Sequence, residues 1–232
     1  MVSIGDAITY PMESDDWITT ILIGGVLSLL SILIVPIFLV FGYQIRVVRA
    51  RLDGDPEPPT FGDWGELFAD GLRAFVIYVS YLLVPAIVFA VTVGGAIAAA
   101  ATGGESGVAA AITGALGGAL ISFLLSLVFG YFAAAGIVNF ARLDSLGAAF
   151  DFGTILDVAT DMEFLVAFLI AVAVAIGFGT VNGVLNVIPI LGTIVGIFVL
   201  FYGQIVTAYI WTEGYVDATG VSGVSATDAT AV

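Results

Sequence analysis

The chain has 232 residues, 60% of them hydrophobic and 10% charged, with five Arg, 19 Asp plus Glu and a formal net charge of −14. It has no Cys, His or Lys, which excludes disulfides, a thiolate nucleophile or metal site and a histidine base, while five scattered Arg form no stripe for nucleic acid. The mean hydropathy of +1.16 is that of a membrane protein, since a soluble domain of this size needs more charge than this to cover its core.

In chain order, MVSIGDAITYPMESDDW carries no basic residue before the first apolar run, so it is not a conventional secretory signal. Five runs free of Asp, Glu, Lys and Arg follow: Ile18–Ile45 with Pro36 inside, Phe75–Ala101 with Pro85, Val108–Ala141, Phe164–Leu185 and Val187–Thr212. A bilayer takes about 20 apolar residues as a helix. The fold class expected is therefore an all-α integral membrane protein of about five transmembrane helices. The short turn Asn186–Gly192 makes the last two a tight hairpin or, alternatively, a re-entrant pair, so the count is five plus or minus one. All Arg fall after the first run (Arg46, Arg49, Arg51, Arg73) or the third (Arg142). The positive-inside rule then puts loops 46–73 and 142–163 in the cytoplasm of a multi-pass cell-membrane protein, with the N-terminus outside. The expected membrane domain is 1–216, and 217–232 is a polar tail expected to be disordered.

Ala-Arg-Leu-Asp occurs at Ala50–Asp53 and again at Ala141–Asp144, and Phe-Gly recurs in the same register at Phe61 and Phe152. The shared offset predicts a parallel internal duplication, with repeats 18–101 and 109–192 and an extra span 187–212. Each repeat's loop ends in a segment of helical amphipathicity. In Asp63–Phe75, Trp64, Leu67, Phe68, Leu72 and Phe75 oppose Asp63, Glu66, Asp70 and Arg73. In Thr154–Phe164, Ile155, Leu156, Val158, Ala159 and Met162 oppose Asp157 and Asp161. Two interfacial amphipathic helices are expected.

Candidate chemistry is sparse. The paired carboxylates (Asp15/Asp16, Asp53/Asp55, Asp157/Asp161) sit on polar faces and loops, where solvation is the usual role; no catalytic residue, metal ligand or cofactor is expected. Arg51 with Asp53 and Arg142 with Asp144 read either as a gate or lipid-phosphate clamp in each repeat, or as a positive-inside anchor beside a turn-forming Asp; the anchor is favoured. Asn182 and Asn186, one helical turn apart on one face at the end of the fourth run, are the candidate intramembrane polar site. Glycine pairs at GALGG, GTVNG and GTIVG allow close helix packing, including homo- or hetero-oligomers within the lipid bilayer. The acidic, lysine-free composition is that of proteins from salt-in halophiles.

The segments AITYPMESDDWITTILIGG and RVVRARLDGDPEPPTFGDWGELFADGLRAFVI, with FGDWGELFADG the most specific, resemble the DUF4013 family of archaeal membrane proteins, and the resemblance covers most of the chain, to Val216. It implies an integral membrane protein, often haloarchaeal, and transfers no catalytic residue. The expected function is a non-enzymatic structural, scaffold or accessory membrane component; a small transporter or channel for an uncharged or weakly polar solute is the alternative, and a membrane-lipid enzyme the third.

Overall fold

The computed structural model describes residues 3–221, apart from the side chain of Glu105. Among them are eight α-helices: α1 (Ile4–Thr9), α2 (Trp17–Leu29), α3 (Val35–Asp53), α4 (Trp64–Thr102), α5 (Gly104–Leu143), α6 (Phe152–Thr160), α7 (Met162–Leu185) and α8 (Leu191–Thr219). Of these, α4, α5, α7 and α8 are long and apolar enough to cross a membrane; a fifth candidate exists only if α1 and α2, with the 3₁₀ turns that follow them, are counted as one span despite an 89° bend. The protein is an all-α membrane protein. It divides into two compact units, one of residues 1–75 and 135–232 and the other of Val76–Ala134.

In the first unit the run Ile18–Ile45 is not one tilted helix, which corrects the sequence expectation. After α2, a 3₁₀ turn leads to Ile34 at φ 69°, ψ −53°, and α3 begins at Val35 with Pro36 in its first turn. Proline cannot donate the amide that a continuing helix needs, and it disfavours helical geometry in the residue before it. The chain turns back there. Ser28 of α2 and Ser31 of the 3₁₀ turn line the same cavity as Ile37, Val40 and Phe41 of α3 and Ile197, Leu200 and Phe201 of α8, so α2 and α3 form a hairpin against α8. A second hairpin, α7–α8, turns through Ile190 at φ 67°, ψ −65°, next to Pro189, and the Leu191 amide donates to the Pro189 carbonyl at 2.8 Å. This is the strained γ-turn, at a β-branched residue in a region that such residues avoid.

Both tips are apolar and exposed: Ile32 is 87% exposed and Val187 79%. The buried core lies toward the open end of the hairpins, around Tyr43, Ile45, Phe140, Phe164, Phe201, Ile210 and Tyr215. There α3 crosses the start of α4 backbone to backbone. A Cβ at Gly71 would stand 1.6 Å from the Phe38 carbonyl oxygen, and one at Gly42 1.9 Å from that of Leu67, so only glycine fits.

The two amphipathic segments behave differently. Residues 63–75 are not a separate interfacial helix; from Trp64 they are the first turns of α4, and Asp70, assigned by spacing to the polar face, is buried at 2% exposure. The second is the short helix α6, with Ile155 and Val158 buried. The Asp151 carboxylate caps it, accepting from the Thr154 hydroxyl at 2.8 Å and the Gly153 amide at 3.2 Å. The Thr154 hydroxyl is the main reason this carboxyl is held below its ordinary value. Asp161 then caps α7 by accepting from the Glu163 amide at 2.7 Å. Helix α8 continues to Thr219, past the expected start of the tail at 217; the rest of that tail, from residue 222, lies outside the described residues.

The second unit pairs the last part of α4 with the first part of α5. Gly118 of α5 faces the Thr92 side chain closely enough that a Cβ would stand 2.2 Å from its Oγ1.

Candidate functional site

The arginines collect at the open end of the first unit. Arg49 of α3 ion-pairs with the buried Asp70, through Nη1 to Oδ2 and Nη2 to Oδ1, and its Nη2 also donates to Asp144 Oδ1 at 2.9 Å. Its Nε donates to the Ala141 carbonyl at 3.4 Å. Arg73 reaches the same two carboxylates, at 3.3 Å to Asp70 and 3.5 Å to Asp144. Arg46 donates to the carbonyls of Thr60 and Asp63 and lies 3.6 Å from Glu66. These bonds hold the loop between α3 and α4 to the helices on either side of it.

Arg51 is sandwiched. Its Cζ lies 4.4 Å from the ring centre of Tyr209 and 5.4 Å from that of Tyr10. Its Nε and Nη2 donate to Glu213 Oε1 at 3.2 and 2.6 Å, and its Nη1 donates to the Asp55 carbonyl at 2.7 Å. Guanidinium on an aromatic face and against a carboxylate is a pairing suited to a partly dry site. The buried Tyr10 donates to the Glu57 carbonyl at 3.3 Å. The N-terminal segment therefore sits at the same end as loop 46–73. This corrects the expectation that the two lie on opposite faces, and the cause is the α2–α3 hairpin, which returns the chain to the side it came from.

Neither Ala-Arg-Leu-Asp copy forms the ion pair that spacing pointed to. Arg51 pairs with Glu213 rather than Asp53, and Asp144 pairs with Arg49 and Arg73 rather than Arg142. Residues two apart at a helix C-terminus point to different faces: Asp53 ends α3, and Asp144 follows α5 at φ 45°. Both arginines instead lie over tyrosines of α8, Arg142 at 6.0 Å from the ring centre of Tyr215.

Asn182 and Asn186 lie at the tip of the α7–α8 hairpin, not at mid-helix. Asn186 Nδ2 donates to the Asn182 carbonyl at 2.8 Å and to its Oδ1 at 3.2 Å, while Asn186 Oδ1 accepts from the Thr193 hydroxyl at 2.8 Å. A Cβ at Gly196 would stand 2.0 Å from Asn182 Oδ1. The pair staples the turn, and the Asn186 amide is spent on it.

Two larger cavities are lined mostly by apolar atoms. One, about 250 Å³, lies among α2, α3 and α8 with Ser28, Ser31 and Gln204 in its wall. The other, about 400 Å³, belongs to the second unit and is lined by Pro85, Phe89, Ser122 and Ser126, among others. The hydroxyls of Ser28, Ser31 and Ser126 donate to carbonyls one turn back. Among the described residues no three His, Cys, Asp or Glu side chains group as a metal site.

The residues that sequence reasoning missed are Asp70, Glu213 and the α8 tyrosines. Glu213 did leave a signal, as a lone acid among the aromatics of WTEGY at the end of the last apolar run. Asp70 left none, because its helical spacing is that of a solvated face.

No curated protein and no solved structure matches the chain. A family model described as a protein of unknown function (DUF4013) matches residues 26–187, well over half of the chain and including all five arginines. The chain belongs to the DUF4013 family.

Proposed function

We propose that this protein is a non-enzymatic structural or accessory component of the membrane. One observation carries the reading: Arg46, Arg49, Arg51 and Arg73 all spend their charge on carboxylates of the same chain, so the polar end works as an internal clamp on the helices. Removing one partner of a buried ion pair costs about 3–5 kcal/mol, which makes such a clamp a strong positional constraint. The open end of the first unit faces the cytoplasm, by the placement of its arginines, and the N-terminal segment lies there with it. Partners meet the protein within the bilayer, through glycine-bearing helix faces. The acidic surface is that of a protein working in molar salt.

The test has two parts. Purified protein in liposomes is assayed for hydrolysis or group transfer on lipid substrates; turnover at enzymatic rates sinks the reading. Single Cys at Gly5 and Gly54 are then labelled in cells and in inverted vesicles. Both should label only from the cytoplasmic side, and opposite sidedness refutes the hairpin topology.

A second reading, transport of an uncharged or weakly polar solute, is favoured by the α2–α3 break beside the serine-lined cavity, since broken helices often line transport sites. Solute flux into liposomes that is lost on Ser31→Leu supports it; no flux across a broad solute panel rejects it.

A further inference from the structure

Arg142 differs from the other four arginines. Among the described residues it has no carboxylate partner, in a chain of 19 acids. Its Nε is buried and, among the described residues, has no hydrogen-bond partner. The buried Asn139 amide, one turn earlier on α5, is already committed: its Oδ1 accepts from the Tyr215 hydroxyl at 3.0 Å, and its Nδ2 donates to the Ala148 carbonyl at 2.9 Å. Buried donors are almost always satisfied, and an orphaned charged one is costly.

Arg142 also lines a cavity. With Arg49, Leu52, Asp53, Ala141 and Val221 it encloses about 160 Å³. Arg49 spends its nitrogens on Asp70, Asp144 and the Ala141 carbonyl, so the free positive charge of this cavity belongs to Arg142. A partner that satisfies it must be an acceptor, and an anionic one best offsets a partly desolvated cation. The Arg142 guanidinium, a planar fork of donors, matches the oxygens of a tetrahedral anion, and the charge of Arg49 in the same wall adds to the attraction. Asp53 stands in the same wall without an ion pair to Arg51 or Arg142; its charge opposes an anion and keeps binding exchangeable.

We propose that the cavity between Arg49 and Arg142 binds a phosphate-type oxyanion, with the Arg142 guanidinium as principal donor. The same chemistry is offered by a lipid headgroup phosphate and by free phosphate. The site is independent of whether the protein is a scaffold or a transporter.

The test is ligand-induced thermal stabilisation of the full chain in neutral detergent at fixed ionic strength. The probes are dihexanoyl phosphatidic acid and inorganic phosphate, with sodium chloride as the control. Stabilisation by phosphatidic acid alone assigns the site to a headgroup; stabilisation by both assigns it to a small anion. In either case Arg142→Gln should weaken binding about tenfold or more, as expected for loss of a charged hydrogen bond. Asp53→Asn should tighten it severalfold, a gain that misfolding cannot mimic. Equal binding by Arg142→Gln and the natural chain, no tightening in Asp53→Asn, or no response to either probe overturns the proposal.

Discussion

The two Ala-Arg-Leu-Asp segments have the same four residues at the same kind of place, the C-terminal end of a helix packed near α8, yet their arginines have different fates. Arg51 lies between two tyrosine rings with Glu213 bonded twice to its guanidinium. Arg142 lies over one ring, has no carboxylate partner among the described residues and borders a cavity. The aspartates diverge as well: Asp144 serves Arg49 and Arg73, whereas among the described residues Asp53 pairs with neither Arg51 nor Arg142. A short repeated motif sets where a side chain starts, and the neighbouring helix decides what it does. Helix α8 has no counterpart in the repeat, and it supplies an acid to one copy only.

The sharpest way to break this comparison is at its shared hub. Arg49→Leu strips the buried Asp70 of its principal partner and should destabilise the protein by about 3–5 kcal/mol, measured by denaturation in detergent. A loss under about 1 kcal/mol would mean that Asp70 is solvated and the clamp unimportant. Next, Glu213→Gln should cost about 3 kcal/mol by leaving Arg51 partly buried without its anion. Arg142→Gln, measured in the same way without added phosphate, should cost about 1 kcal/mol or less, the scale of one cation–π contact. Equal losses would erase the distinction between the two arginines.

A smaller effect separates Asp70 from Asp161, its counterpart in the repeat. Asp161→Ala should cost about 1 kcal/mol as a lost helix cap, and Asp161→Asn close to nothing, because asparagine caps as well as aspartate. The smallest effect is a pH response at Asp151. Its folded carboxyl titrates below the ordinary value, so its contribution is present above the unfolded pKa and is lost as pH falls through the folded one. Hydrogen exchange at the Thr154 amide should stay protected until the pH drops below the usual aspartate range, and Asp151→Asn should remove that pH dependence.

Much of the architecture was legible because hydrophobic length is a direct signal. The run Phe164–Leu185 is α7 to within two residues, and the tight turn after it follows from the short gap before the next run. What misled was treating an uncharged run as one helix. Ile18–Ile45 has the length of a long span, but Pro36 and the positive φ of Ile34 fold it back, and hydropathy does not register direction. That one reversal also brings the N-terminal segment to the same end as loop 46–73. At the polar end, Arg49 and Asp70 are 21 residues apart, and Arg51 and Glu213 are 162 apart. Pairings of that range depend on tertiary packing, which local periodicity cannot supply. Asn182 and Asn186 were visible as a pair, but their role as a turn staple needed Thr193 and the close approach at Gly196.

The apolar tips at Ile34 and Ile190 bear on how the chain enters a membrane. A hairpin whose charges all stay at its open end can insert tip first, and no ionised group then has to cross the hydrocarbon. The work done by a membrane potential scales with the charge moved through it, about 2.3 kcal/mol per charge per 100 mV. For the α2–α3 and α7–α8 hairpins that charge is zero, so their insertion should proceed equally well in energised and de-energised membranes.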